Sequence, residues 1–87
     1  MSAGALEIDI LYFAALREKA GVARESVTLP LEAPRVADLA AWLEANRAAL
    51  RGHIQKVRFA VGDEFADATR VLRRGDVVAL IPPVSGG

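Results

Sequence analysis

From Leu6 to Phe13 the chain reads Leu-Glu-Ile-Asp-Ile-Leu-Tyr-Phe. The strict alternation at its start predicts a β-strand with Leu6, Ile8, Ile10 and Tyr12 on one face, the core face. Glu7 and Asp9 suit water on the other face, but Leu11 and Phe13 then break the polar series with two large apolar side chains. Ala14 to Ala20 is rich in helix formers and stops at Gly21, which predicts a short helix closed by a left-handed glycine. Glu25 to Leu31 reads as a second strand, with Val27 and Leu29 alternating against Ser26 and Thr28, ended by Pro30 and followed by a loop with Pro34.

The one substantial helix is read from Val36, Leu39, Ala40, Leu43 and Arg47 at helical spacing, with Trp42 and Leu50 widening the stripe. Arg35 stands at its start, where Ser, Thr, Asp or Asn would supply a side-chain acceptor for the first free amides, so the boundary is expected to shift by a residue or two. Val57, Phe59 and Val61 alternate with Lys56, Arg58 and Ala60 as a third strand. Gly62-Asp63 then turns the chain into a short extended piece around Phe65, a hairpin. After a tight turn at Arg73-Arg74-Gly75-Asp76, the run Val77 to Ile81 has the β-branched content of a buried or half-buried strand, and Pro82-Pro83 ends its pairing.

Strand, strand, helix, strand, short strand, strand in a chain of 87 residues implies an α+β fold: one sheet, with the main helix on one face and the N-terminal strand in the middle. One helix covers about 10 to 12 Å of sheet width, so the other face is largely bare. If Val78 and Leu80 point inward, Val77, Ala79 and Ile81 lie beside Leu11 and Phe13 on that face. An exposed apolar patch of this kind is a partner site.

Composition narrows the chemistry. Eleven Lys plus Arg balance eleven Asp plus Glu, so no basic face is expected to gather nucleic acid or an anionic membrane. The chain has no Cys and one His, which excludes a disulfide scaffold, a Cys-based zinc site and a side-chain thiol as sulfur carrier. The longest apolar run, Val77 to Val84, is far short of a membrane span, and the N-terminus lacks a basic segment followed by a hydrophobic one. The expected setting is cytoplasmic, with residues 1–87 as one domain. His53 has no second ligand with which to share a metal, and the acidic residues form no pair spaced for general acid and base catalysis. Trp42 and Tyr12 read as core; Arg73 and Arg74 read as solubilising charges, with guidance of the terminus into an acidic partner as the rival reading.

The last six residues, Pro82-Pro83-Val84-Ser85-Gly86-Gly87, are the most specific. At an average glycine usage of about 7%, a terminal glycine pair occurs in about one chain in two hundred, so the pair alone decides little. Behind a strand and a diproline it says more, because two prolines hold extended geometry and project the chain from the domain. Residues 82–87 then form a flexible projecting tail reaching roughly 20 Å. Without a Cβ, glycine threads a narrow channel and leaves the terminal carboxylate open to attack. Activated as an acyl-adenylate, that carboxylate accepts a sulfur nucleophile to give a thiocarboxylate; the competing reading is a frayed end.

The segment Leu11-Tyr12-Phe13-Ala14-Ala15-Leu16-Arg17-Glu18, the Val36 to Leu43 helix start, the Gly75-Asp76-Val77 turn and the Pro82-Pro83-Val84-Ser85-Gly86-Gly87 ending together resemble the small subunits of molybdopterin synthase, which are ubiquitin-like sulfur carriers. The likeness spans nearly the whole chain. It implies a β-grasp fold with a single mixed sheet and no bound cofactor. By the same resemblance, an ATP-dependent, E1-like activating enzyme adenylates Gly87 and a sulfurtransferase system makes the thiocarboxylate, with Gly86 beside it. Pro82, Pro83, Val84 and Ser85 would then carry the end into the active site of a large subunit, in a heterotetramer. There the sulfur passes to cyclic pyranopterin monophosphate, two rounds building a dithiolene. The catalytic side chains belong to the large subunit, which makes this chain a carrier and co-substrate. Apolar residues on the bare sheet face bind both partners in that family; by position these fall on Phe13, Phe65 and Ile81, and Leu11 joins them from the alternation. The family commonly has Thr or Ser where Arg35 stands and Asn where Gly62 stands, differences that bear on helix capping and hairpin geometry. Three rival functions remain: a sulfur carrier for thiamine, cysteine or thiolated tRNA synthesis, a protein modifier joined to lysines through Gly87, and an interaction domain whose terminus does no chemistry.

Overall fold

The computed structural model describes residues 4–83. The elements are β1 (Leu6–Tyr12), α1 (Ala14–Ala20), β2 (Arg24–Leu29), α2 (Val36–Asn46), two 3-10 turns (Ala48–Leu50 and Ile54–Lys56), β3 (Arg58–Val61), β4 (Glu64–Ala66) and β5 (Val77–Ile81). The strands form one mixed sheet in the order β2-β1-β5-β3-β4. β1 and β5 are parallel, and the other neighbours are antiparallel.

The central strand is therefore β5, not the N-terminal strand as the alternation suggested. β1 alternates cleanly because one of its faces meets water. β5 is apolar at every position: Val78 and Leu80 are buried on the helix side and Ala79 is buried between its neighbours, while Val77 and Ile81 are half-buried on the other face. On the helix side Leu6, Ile8, Ile10 and Tyr12 of β1, Val27 and Leu29 of β2, Phe59 and Val61 of β3, and Val78 and Leu80 of β5 pack with Leu16 of α1 and Val36, Leu39 and Leu43 of α2. Leu50 and Ile54 close this core from the 3-10 turns. Trp42, expected in the core, is only partly buried, and the Arg47 guanidinium lies 4.9 Å from its ring centroid.

The missing side-chain cap of α2 has a tertiary solution. Val36 N–H donates to the Arg70 carbonyl at 2.9 Å and Ala37 N–H to the Ala68 carbonyl at 3.1 Å, so the loop after β4 satisfies the first free amides. Asp38 completes the end by accepting the Arg35 N–H at 2.8 Å through Oδ2, the reciprocal half of a capping box. The helix consequently starts at Val36 itself. Gly62, in the β3–β4 turn, has φ +64, a left-handed conformation that glycine adopts without strain and Asn visits more readily than other side chains.

One polar network ties the sheet to the end of α2. Tyr12 Oη donates to Glu25 Oε2, and Arg47 donates to the same carboxylate through Nη2 at 2.7 Å and Nε at 3.1 Å. The Arg47 bonds hold the Glu25 carboxyl below its ordinary range, with Tyr12 adding to the effect, while burial and the Glu25 carboxylate push the Tyr12 hydroxyl up. A carboxyl depressed in the folded state stabilises the fold above its unfolded value and loses that contribution as pH falls through its folded value. Glu25→Gln is therefore expected to lower stability at neutral pH by about 1 kcal/mol, about 5 °C in melting temperature for a domain of this size. The gap between variant and parent should close as thermal melts are taken from pH 7 to below the ordinary carboxylate range.

Candidate functional site

The helix-free face of the sheet is built by register. Arg24, Leu11, Ala79, Ala60 and Phe65 pair in one row across β2, β1, β5, β3 and β4. Ile81 pairs with Arg58 in the next row along. Phe13 stands two residues beyond Leu11, as Ile81 stands two beyond Ala79 on the parallel neighbour. The two alanines form a low floor between the taller Leu11 and Phe65. Phe13 is 46% exposed and Phe65 60% exposed, while Leu11 and Ile81 are half-buried. Large apolar groups left in water on one patch mark a binding surface.

The face is polar at its other end. Asp9 pairs with Ser26 and Val77, and Glu7 with Thr28. Asp9 accepts from Ser26 Oγ at 2.6 Å and from the Arg24 guanidinium, and these two bonds hold its carboxyl below the usual range. Arg24 is thus neutralised within its own sheet. Arg58 is placed differently: its guanidinium lies 4.1 Å from the Phe65 ring centroid, a cation–π contact inside the apolar end.

β5 ends within this patch. Ile81 passes into Pro82, half-buried, and Pro83, exposed, which lack the N–H a sheet ladder needs. The tail therefore starts beside Phe13, Phe65 and Arg58 rather than at a remote corner. Val84, Ser85, Gly86 and Gly87 lie outside the described residues. Arg73 and Arg74 sit in the turn entering β5, at the opposite end of that strand from the tail, roughly 15 Å away at strand rise. They do not flank the point of exit.

A groove of about 590 Å³ opens round the edge of the sheet from Phe65, between β3–β4 and the start of α2, with Val36, Ala40 and Phe59 in its lining. Among the described residues no group of His, Cys, Asp or Glu could hold a metal. No helix among them is long and apolar enough to cross a membrane. His53 is exposed at the start of a 3-10 turn. The pattern of the sequence located Leu11, Phe13 and Ile81 on this face. Arg58 and Ala60 alternate outward with them, but only the β3–β5 register shows that they stand inside the patch.

A five-stranded mixed sheet folded around one main helix, with the chain leaving from the central strand, is the ubiquitin-like β-grasp architecture. The chain belongs to the ThiS family, which it matches over residues 10–87, the two C-terminal glycines included. It is 37% identical to the molybdopterin synthase sulfur carrier subunit of Mycobacterium tuberculosis, over 94% of this chain and 99% of that one. The Homo sapiens subunit of the same name is 35% identical, over 93% and 94% of the two chains. Among solved structures, SAMP1 from Haloferax volcanii superposes with a TM-score of 0.81 at 27% identity, covering 93% of this chain and 99% of that one. A protein–protein complex of subunits 1 and 2 of molybdopterin-converting factor from Helicobacter pylori contains a chain with TM-score 0.65 and 25% identity, covering 94% of this chain and 100% of that one.

Proposed function

We propose that this chain is a sulfur carrier of molybdopterin synthase, loaded and discharged at the Gly87 carboxylate. The observation that carries the reading is the match to sulfur carrier subunits over more than nine-tenths of the chain, joined to a tail that leaves the sheet at the edge of an exposed apolar patch. A carboxylate is a poor electrophile. Its attack on the α-phosphate of ATP, held by an E1-like activating enzyme, releases pyrophosphate and gives an acyl-adenylate. A sulfur nucleophile then displaces AMP and leaves the thiocarboxylate. In the synthase the sulfur passes to cyclic pyranopterin monophosphate and water restores the carboxylate. The chain itself binds no cofactor in this scheme. It works in the cytoplasm and pairs with a large subunit that supplies the catalytic side chains, two copies of each forming a heterotetramer.

The division of labour follows from separation in space. Leu11, Phe13, Phe65 and Ile81 hold the partner, and Pro82 to Ser85 set the distance between that contact and the reactive atom. Docking energy gathered on the sheet face is then spent on positioning the terminus, which raises the effective concentration of the thiocarboxylate at the acceptor. The intact mass of the chain purified from its own cells, with the C-terminal peptide fragmented, tests this. Replacement of one terminal oxygen by sulfur is expected. Gly87 in amide linkage to a lysine would instead favour a protein modifier. A bare carboxylate after incubation with ATP, activating enzyme and sulfur donor would remove both.

A further inference from the structure

Among the described residues, the Arg58 guanidinium at the apolar end of the sheet face has no opposite charge beside it. Arg58 pairs in register with Ile81 and stacks on Phe65, so it stands between two of the residues a partner must cover. No carboxylate lies within ion-pair distance of it among the described residues. Arg24, at the far end of the neighbouring row, has Asp9, and Arg47 has Glu25. Asp67, which shares the groove beside Phe65 with Arg58, is engaged by Thr69 through its N–H at 2.9 Å and its hydroxyl at 2.6 Å.

This has a consequence for any protein docked on the patch. A surface that covers Phe65 and Ile81 also takes the Arg58 guanidinium out of water, and a buried cation without a counter-charge is strongly penalised. Stacking on a phenyl ring offsets only part of that cost, since cation–π contacts contribute about 0.5 to 2 kcal/mol. Stacking also holds the guanidinium plane against the ring, leaving its edge N–H groups free for a planar, bidentate acceptor. We propose that Arg58 is a specificity-determining residue of the docking face, and that the large synthase subunit presents an Asp or Glu carboxylate to it at the rim of the Phe65–Ile81 contact. This rests on the carrier reading above and adds the chemistry of its partner: an apolar surface bearing an acidic residue, where a purely apolar surface would be rejected.

The sign of one substitution decides the matter. Arg58→Leu keeps the bulk beside Phe65 and enlarges the apolar patch. If the partner met Arg58 with apolar groups or solvent, this variant would bind as tightly as the parent or more tightly. If the partner supplies a carboxylate, the variant strands that carboxylate, and affinity for the purified large subunit should fall about 30-fold or more, the loss typical of removing one member of a buried charge pair. Arg58→Lys keeps the charge without the fork and should fall between the two. The measurement is titration calorimetry of each carrier variant against the large subunit from the same organism, at low and at high salt. The parent should weaken with salt more steeply than Arg58→Leu. Unchanged or tighter binding by Arg58→Leu, or equal salt dependence of the two, overturns the proposal. Phe13→Asp measured alongside separates the two claims: if it too binds normally, the sheet face is not the docking face and the carrier reading itself is at fault. Thermal melts of each variant confirm that the fold is retained, as the exposed position of Arg58 leads one to expect.

Discussion

Adding a single alanine after Gly87 is expected to abolish sulfur loading while leaving the melting temperature and the affinity for the large subunit unchanged. The reasoning is geometric. One further residue moves the terminal carboxylate by up to about 3.5 Å, and displacements of about 1 Å already cost on the order of a hundredfold when a reacting atom must meet a fixed partner. It also places a Cβ at a terminus that glycine leaves without one. Nothing in the core senses the change, because the hydrophobic cluster runs from Leu6 to Leu80 and the tail begins after Ile81. Deleting Gly87 shortens the reach by a similar distance and should fail in the same way. The check is ATP-dependent conversion to thiocarboxylate, followed by intact mass, with calorimetry against the large subunit as the control for docking. An extended chain that still accepted sulfur would place the chemistry elsewhere than at the terminal carboxylate.

The two faces of β1 and the end of pairing at Pro82 were legible in the sequence because each depends on local rules. Alternation with period two assigns a side chain to a face whatever the neighbouring strands are, so Leu11, Phe13 and Ile81 could be placed outside before the sheet order was known. Pro82 and Pro83 end strand pairing through backbone chemistry alone, since neither has an N–H to donate. What escaped local reading was set by tertiary pairing. β5, not β1, took the centre of the sheet, with β1 parallel on one side and β3 antiparallel on the other, a pairing that neither strand's own alternation reveals. The α2 cap came from the carbonyls of Arg70 and Ala68, more than thirty residues further along the chain, and no window around Arg35 contains that information. Arg58 read as the polar half of an alternating strand, and only its register with Ile81 turns it into a charge within an apolar patch.

Ala14 adds a feature that the sequence concealed altogether. Its φ of +52 is left-handed although it carries a Cβ, a conformation that costs roughly 1 kcal/mol in a residue other than glycine. It falls at the junction where β1 gives way to α1, immediately after Phe13. The chain thereby turns into a helix that buries Leu16 while Phe13 stays nearly half exposed. Local strain of this kind persists where the surrounding structure holds it, and here its neighbour is a residue assigned to docking.

Phe13 is where the demands of folding and of binding separate most clearly, and Phe13→Asp should show it by lowering affinity while stability changes little. Phe13 occupies the N-cap of α1 with extended dihedrals, φ −120 and ψ 150, and makes no side-chain cap hydrogen bond. Asp is among the residues preferred at that position, since its carboxylate can accept a free amide of the first turn and a negative charge suits the helix N-terminus. The first turn of α1 holds no acidic residue of its own. The ring is nearly half exposed, so the substitution gives up part of its burial while the new cap offsets that loss, and the melting temperature should change little. On the proposed function binding should suffer, because the phenyl ring belongs to the exposed apolar patch and its replacement puts a charge into a contact that would be desolvated. A loss of at least about 2 kcal/mol, roughly 30-fold in affinity, is the scale for an aromatic anchor, and sulfur transfer at limiting carrier concentration should fall with it. Near saturation, with the tail intact, the rate of transfer should recover. A residue kept for folding would show the reverse pattern, with stability lost and affinity spared. A carrier of nearly unchanged stability that docks poorly would mean that phenylalanine stands at this cap for the partner's sake.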